Sequence, residues 1–425
     1  MRGTGAGLFA AAFLAVVFAA HVIIVPSTKV EESFTLQAVH DLWTYGIRPS
    51  GLAHFHLPFW AGRTTPNNVA LPLVLVALAF IVRNQRMYMG LALLASTAVV
   101  LRLELLGIAI PCYLAAWLVF RRPLLRLIFV GLASCVAGLV LSLVVDSYFW
   151  QRPFLWPEGD AIFFNVVEGH SAEWGVSPWH MYMTQALPRL LVAAIPMTAL
   201  GVIACPRDRT MALLVWIAGV HVALLSVLPH KEWRFILYTV PLWNALAARG
   251  MHRCLAYPGG ILVVAGVLAT SAAQCVLSVA ASALNYPGGA ALALLHEHVR
   301  TAAHVHIDTL SAMTGVSLFQ STHLARTSSS WVPTLEPTWI YNKTESPHLD
   351  LCLFTHMLTE RACPAAFREM TAPIQALAGF QFVRPAAYWT KVRAAGLRLA
   401  AWRAWLPVRF ATSDAIHVCE RVDVC

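Results

Sequence analysis

The chain has 425 residues, of which 58% are hydrophobic and only 12% charged, with a formal net charge of +9. A soluble chain of this length would carry about twice that charged fraction, so a water-soluble globular protein is excluded. The basic excess is read as a matter of membrane orientation, not of nucleic-acid binding.

In chain order, Leu8 to Val25 is free of formal charge and long enough to span. No clear small-x-small cleavage site precedes Pro26, so it reads as a retained anchor and not a cleaved signal peptide. A polar block, Pro26 to Asn68, contains Glu31 and Glu32. Apolar runs follow at Ala70–Val82, Tyr88–Leu101, Leu105–Phe120, Leu124–Val145, Leu190–Cys205, Met211–Leu228, Phe235–Ala248 and Ile261–Leu284. With the first, they make about nine expected spans.

Arginines set the orientation. Arg83/Arg86, Arg121/Arg122/Arg126, Arg207/Arg209 and Arg249/Arg253 lie in connections that share one side if the spans alternate. The positive-inside rule makes that side cytosolic. Glu31/Glu32, the block Asp146 to Leu187, His230 and everything after Leu284 then face the lumen. Residues 1–284 read as a multi-spanning membrane domain with luminal loops 26–69 and 146–188, and residues 285–425 as a luminal C-terminal region. The expected fold class is an all-α polytopic membrane protein. The second block is rich in Trp, Tyr and Pro, a composition that predicts short interfacial helices.

Five cysteines (Cys112, Cys135, Cys205, Cys254, Cys275) lie in or beside spans, where an inert apolar role is the default. Cys352, Cys363, Cys419 and Cys425 lie in the luminal tail, where disulfides form, with no pairing deducible. Asn342-Lys343-Thr344 is an acceptor sequon on that side. His296, His298, His304 and His306 with Asp308 match no strong zinc spacing, so no metal is expected.

Two polar strings attached to spans carry the chemistry. In Thr28-Lys29-Val30-Glu31-Glu32-Ser33-Phe34, an acidic pair in a partly dry pocket is suited to take a proton from a hydroxyl. The plain alternative is an acidic pair solvated by headgroups. In His230-Lys231-Glu232-Trp233-Arg234-Phe235, Lys231 and Arg234 are three apart and would share a helix face fit to hold a phosphate. The plain alternative is a cationic anchor, although luminal span ends are the less favoured place for one. Arg102-Leu103-Glu104, between two spans, reads as a local ion pair.

These strings resemble the endoplasmic-reticulum mannosyltransferases that use dolichyl-phosphate-mannose, glycosyltransferase family 22, which share a His-Lys-Glu-x-Arg-Phe signature. The resemblance extends over Gln37, Arg63-Thr64-Thr65-Pro66-Asn67, Trp156-Pro157-Glu158-Gly159, Trp174-Gly175-Val176-Ser177-Pro178, Asn285-Tyr286-Pro287-Gly288-Gly289, His306-Ile307-Asp308, Thr314-Gly315-Val316-Ser317 and Phe354-Thr355-His356. The first string and Asn285–Gly289 point to the branch that extends Man7GlcNAc2-PP-dolichol in α-1,6 linkage.

The resemblance implies a GT-C architecture with its pocket at the luminal surface, and an inverting transfer that needs no cofactor. Glu31 or Glu32 inherits the base, with no choice between them. Lys231, Arg234, His230 and Arg63 would hold the donor phosphate. Gln37, Trp156, Glu158 and Trp174 would line the acceptor pocket. The implied partners are dolichyl-phosphate-mannose, a dolichyl-diphosphate-linked oligosaccharide and the lipids of the reticulum membrane, with no nucleic acid.

One departure stands out. Between Phe59 and Arg63 almost nothing separates two elements that relatives hold far apart, and Ala53 replaces their usual Asp. About two spans are missing against the eleven expected, an even loss that preserves orientation. A sister activity (an α-1,2 step or glycolipid-anchor mannosylation) and an inactive scaffold stay open. A transporter would want ionisable groups at midplane, not at span ends.

Overall fold

A computed structural model describes residues 66–204, 207–317, 339–346, 349–395 and 405–423. Glu31, Glu32, Gln37 and Arg63, the expected span Leu8–Val25 and the Phe59–Arg63 junction lie outside the described residues. The described residues fall into two compact units that divide in sequence between Gln274 and Cys275.

In the first unit every described apolar run is helical, because a helix lets a single segment satisfy its own backbone in hydrocarbon. The helices are α1 (Pro66–Val82), α2 (Met87–Val100), α3 (Leu106–Leu118), α4 (Leu124–Trp150), α5 (Pro157–Ile162), α6 (Leu187–Leu191), α7 (Ala194–Ile203), α8 (Arg209–Ser226), α9 (Val240–Cys254) and α10 (Gly260–Ser282), the last running into the second unit. Among the described helices, α4, α8 and α10 are long and apolar enough to cross a membrane. The runs at α1, α2 and α3 are apolar but shorter. Val74, Leu91, Leu94, Ile108 and Ile217 are fully buried in the common core, whereas Leu125, Phe129 and Leu132 of α4 stay exposed, as a lipid-facing surface would be. The block Asp146 to Leu187 contains α5 and several single helical turns.

The expected span Leu190–Cys205 is not one straight helix. The stretch Tyr182–Leu191 meets α7 at 106°. Pro196 explains the break: it lacks an N–H and its ring clashes with the carbonyl four residues back, which is that of Val192. Val192 itself sits at φ 49°, a strained value for a β-branched residue. Beyond the break, α7 crosses α9 with almost nothing between the backbones. A Cβ on Gly201 would collide with the Leu246 carbonyl, and one on Gly250 with the Met197 carbonyl. Thr198 Oγ1 donates across the crossing to the Trp243 carbonyl (3.3 Å). Small residues allow such close approach where no hydrophobic force drives helices together.

The second unit corrects the all-α expectation. After α11 (Pro287–His298) come strand β1 (Ala303–Ile307), α12 (Thr309–Met313), β2 (Trp339–Asn342), β3 (His356–Thr359), β4 (Phe367–Glu369), β5 (Ile374–Phe382), α13 (Pro385–Ala395) and β6 (Val408–Arg421). The sheet order is β2-β1-β3-β6-β4, with β5 also on β6; β1 pairs parallel with β2 and β3, and β6 antiparallel with its neighbours. Outside the bilayer a chain is free to alternate, and Ala303, Val305 and Ile307 point one way, onto Ala291, Leu292 and Leu295 of α11. Reading the tail by its mixed polarity alone overlooked this period of two.

The strings that carried the resemblance are joints of this unit. A Cβ on Gly288 would collide with the Ser311 carbonyl, and the Gly288 and Gly289 N–H groups donate to Thr314 Oγ1 and O (3.0 Å each). Asp308 caps α12 through Ser311 N (2.8 Å). Cys363 and Cys419 form a disulfide, and Cys352 is also disulfide-bonded; Cys112, Cys135 and Cys254 are free thiols.

Gly250→Val should separate α7 from α9 and cost about 1–3 kcal/mol, read as a lower thermal midpoint in detergent. Gly266→Ala, where a Cβ would meet nothing within 4 Å, is the matched substitution that should leave the midpoint in place.

Candidate functional site

Four strings far apart in sequence meet at one end of the first unit. At the α2–α3 corner, Arg102 forms an ion pair with Glu104 (2.7 Å). Glu104 also accepts from Asn67 Nδ2 at the start of α1. Burial opposes the charge on Arg102, but Glu104 and then Glu158 more than restore it and push its pKa up. Glu158 Oε2 accepts from Leu103 N (3.0 Å), and Trp156 Nε1 donates to the Val99 carbonyl (3.0 Å). A Cβ on Gly159 would collide with the Trp156 ring. The Trp156–Gly159 string therefore staples the aromatic block onto this corner.

The signature segment lies alongside. Phe235 links the two clusters, with the Arg102 guanidinium 5.6 Å and that of Arg234 5.9 Å from its ring centre. Tyr182 lies within electrostatic reach of both Glu104 and Glu232. Arg234 holds Glu232 through one hydrogen bond, Nη2 to Oε1 at 2.6 Å, and an ion-pair contact, Nε to Oε2 at 2.5 Å. His230 Nε2 lies within hydrogen-bond distance of Glu232 Oε1 (3.0 Å), and its Nδ1 of the Gly175 carbonyl (3.2 Å). Burial raises the Glu232 pKa, yet the His230 bond and the Arg234 charge outweigh it and hold the carboxyl below its ordinary range.

Lys231 is 6% exposed, and burial pulls its pKa down. Its Nζ donates to the carbonyls of Ser177 (3.2 Å) and Leu228. Ser177 N donates in turn to the Pro229 carbonyl (3.0 Å). The Trp174–Pro178 string is thereby tied to the signature by two contacts, at Gly175 and Ser177, and to Pro229 just before it by a third. The side chain of Trp174 lies outside the described residues.

The expectation that Lys231 and Arg234 share a helix face is corrected. The short 3-10 helix Trp233–Thr239 begins after Lys231, so Lys231 precedes it in a different backbone conformation and points at carbonyls. Arg234 instead pairs with Glu232, the single acid of the signature, while Lys231 is held on the Ser177 and Leu228 carbonyls.

His221, in the middle of α8, went unnoticed in the sequence. It is fully buried and its Nε2 donates to the Phe235 carbonyl (2.9 Å), fixing the signature backbone from behind. Any Cβ on Gly107 would press on its Nδ1. A lone histidine in an apolar run was the available signal. At the other end of these helices, Arg122 donates to Asn84 Oδ1 (2.9 Å), and Arg122 and Arg126 lie over the Tyr88 ring. The connections assigned to opposite sides by alternation thus sit at opposite ends of the helices. Among the described residues, no group of three or more His, Cys, Asp or Glu is placed to hold a metal ion.

A family model for Alg9-like mannosyltransferases matches residues 51–324. The chain belongs to the Alg9-like mannosyltransferase family. It is 35% identical over 75% of its length to a Drosophila melanogaster protein named as the Dol-P-Man:Man7GlcNAc2-PP-Dol α-1,6-mannosyltransferase, covering 46% of that relative. A Schizosaccharomyces pombe protein named as a probable enzyme of the same kind is 31% identical over 72% of the chain and 56% of the relative. A Danio rerio GPI α-1,2-mannosyltransferase 3 is 32% identical, but over only 25% of the chain and 19% of the relative. The chain spans about half the length of the curated relatives it matches most fully. No solved structure matches.

Two outcomes test this geometry. His221→Ala should leave the Phe235 carbonyl unpaired and cost about 1–3 kcal/mol, seen as a lower thermal midpoint; an unchanged midpoint would remove the proposed brace. Glu232 contributes stability that is fully present above the ordinary glutamate pKa of 4.5 and is lost as pH falls through its lower folded value. Melts of the parent chain should therefore weaken below about pH 4.5 more steeply than melts of Glu232→Gln.

Proposed function

We propose that this chain transfers mannose from dolichyl-phosphate-mannose to a lipid-linked oligosaccharide, extending Man7GlcNAc2-PP-dolichol in α-1,6 linkage at the luminal face of the endoplasmic-reticulum membrane. The observation that carries this reading is the meeting of Asn67, Arg102–Glu104, Glu158 and the His230–Arg234 signature at one end of the helices, in a member of a mannosyltransferase family. The names of relatives matched over most of this chain favour the α-1,6 acceptor over a glycolipid anchor.

In the proposed reaction, an acceptor hydroxyl oxygen bonds to the anomeric carbon of the β-mannosyl phosphate as that carbon's bond to the phosphate oxygen breaks. Glu31 or Glu32 takes the hydroxyl proton. Dolichyl phosphate leaves carrying the bonding electrons, so negative charge grows on its oxygens as the bond breaks. Lys231, Arg234 and His230 are the cations at hand, and fixed cations act most strongly where charge develops. Arg63 would add a fourth, with Gln37, Trp156, Glu158 and Trp174 toward the acceptor. A monophosphate leaving group needs no metal in this scheme, and no cofactor besides the donor is proposed. The membrane's own lipids are the remaining partners.

The near absence of sequence between Phe59 and Arg63 favours a second reading, an inactive scaffold, because removing packed helices opens a bundle. The two readings divide on the acids. Glu31→Gln with Glu32→Gln should abolish mannosyl transfer in microsomes while membrane insertion persists; undiminished transfer in the double mutant would eliminate these groups as the base. Lys231→Ala and Arg234→Ala should each lower turnover, with about 10–1,000-fold at stake for a cation facing developing charge. For the acceptor, expression in cells that accumulate Man7GlcNAc2-PP-dolichol should restore extension, and failure of rescue beside a rescuing full-length relative would leave the scaffold.

A further inference from the structure

We propose that Asn342 is an acceptor for N-linked glycan, so that this chain is itself a glycoprotein. The proposal rests on the luminal reading of the C-terminal unit. Asn342-Lys343-Thr344 stands at the end of β2, which among the described residues is the terminal strand of the sheet and pairs with β1 alone. Along β2, Trp339 is buried on the α11 side and Tyr341 donates to or accepts from His296 Nε2 on that same helix (2.7 Å). Alternation then turns Ile340 and Asn342 to the other face, where Ile340 is 50% exposed.

The local conformation suits the reaction. Thr344 N donates to Asn342 Oδ1 (2.8 Å), closing an Asx turn that holds the carboxamide and the Thr344 hydroxyl on the same bend. Among the described residues nothing accepts from Asn342 Nδ2. Lys343 bends the other way, its Nζ donating to the Val316 carbonyl (3.3 Å), so the middle residue does not cover the acceptor. Thr344 and Glu345 are exposed. Three disulfide-bonded cysteines in the same unit, Cys352, Cys363 and Cys419, independently indicate an oxidising compartment, the kind in which such transfer occurs.

The co-reactant is an oligosaccharide on a polyprenyl diphosphate, with a separate membrane transferase as catalyst. Asn342 Nδ2 bonds to the anomeric carbon, the bond from that carbon to the diphosphate oxygen breaks, and the polyprenyl diphosphate departs with the electron pair. Nδ2 gives up one proton to the transferase. A bulky polar group at this point would also shield the open edge of β2 from pairing with another chain.

The test is the full chain expressed in cells that add N-glycans, run on a denaturing gel before and after peptide N-glycosidase treatment. One discrete gain in mobility is expected on treatment, with conversion of Asn342 to Asp read by peptide mass spectrometry. Asn342→Gln and Thr344→Ala should each abolish the shift. In the Asn342→Gln background, Glu360→Asn with Ala362→Thr builds a second acceptor in the exposed bend after β3. A parent chain with no shift beside a shifted second-acceptor variant overturns Asn342 while the luminal reading stands. No shift in either overturns the luminal reading and the acceptor together.

Discussion

Hydrocarbon offers a charge no partner, and that constraint organises the first unit. Arg102 and Glu104 could not remain at the turn between two apolar helices as lone ions, so they pair with each other and draw in Asn67 and Glu158 from other segments. The same requirement gathers His230, Glu232 and Arg234 into one hydrogen-bonded set and bends Lys231 onto carbonyls. Once each group is satisfied in this way, segments separated by more than a hundred residues are fixed beside one another. The polar end of the bundle is thus a by-product of solvation that becomes a site.

Much of this was legible in the chain. Charge-free runs predicted α1 to α4 and α7 to α10 as helical, and two of the arginine-bearing connections that alternation puts on one side, at 83–86 and 121–126, lie together. What the residues did not reveal has physical reasons. The break before α7 depends on where the Pro196 ring meets a carbonyl, which hydropathy does not register. A spacing of three places Lys231 and Arg234 on one face only if a helix has already begun, and here it begins between them. The sheet of the second unit was hidden because β1 to β4 are short and the polarity of the tail is mixed; β3, buried along its whole length, shows no alternation.

The strings shared with relatives divide by what they do in this fold. Trp156–Gly159, Trp174–Pro178 and Asn285–Gly289 are all engaged in holding backbone against backbone: an indole on a carbonyl, a lysine on a carbonyl, a glycine where a Cβ would not fit. Their specificity is that of joints. The His230–Arg234 segment differs, since it gathers His230 and Arg234 about one acid, with Lys231 beside them in the chain.

Glu232 has both carboxylate oxygens committed, Oε1 to His230 and Arg234 and Oε2 to Arg234. A carboxyl held so firmly in its ionised form has little thermodynamic appetite for protons near neutrality. The one acid inside the signature is therefore a counterweight that holds His230 and Arg234 in place. Whatever accepts a proton in this molecule's chemistry must be contributed by a different stretch of the chain.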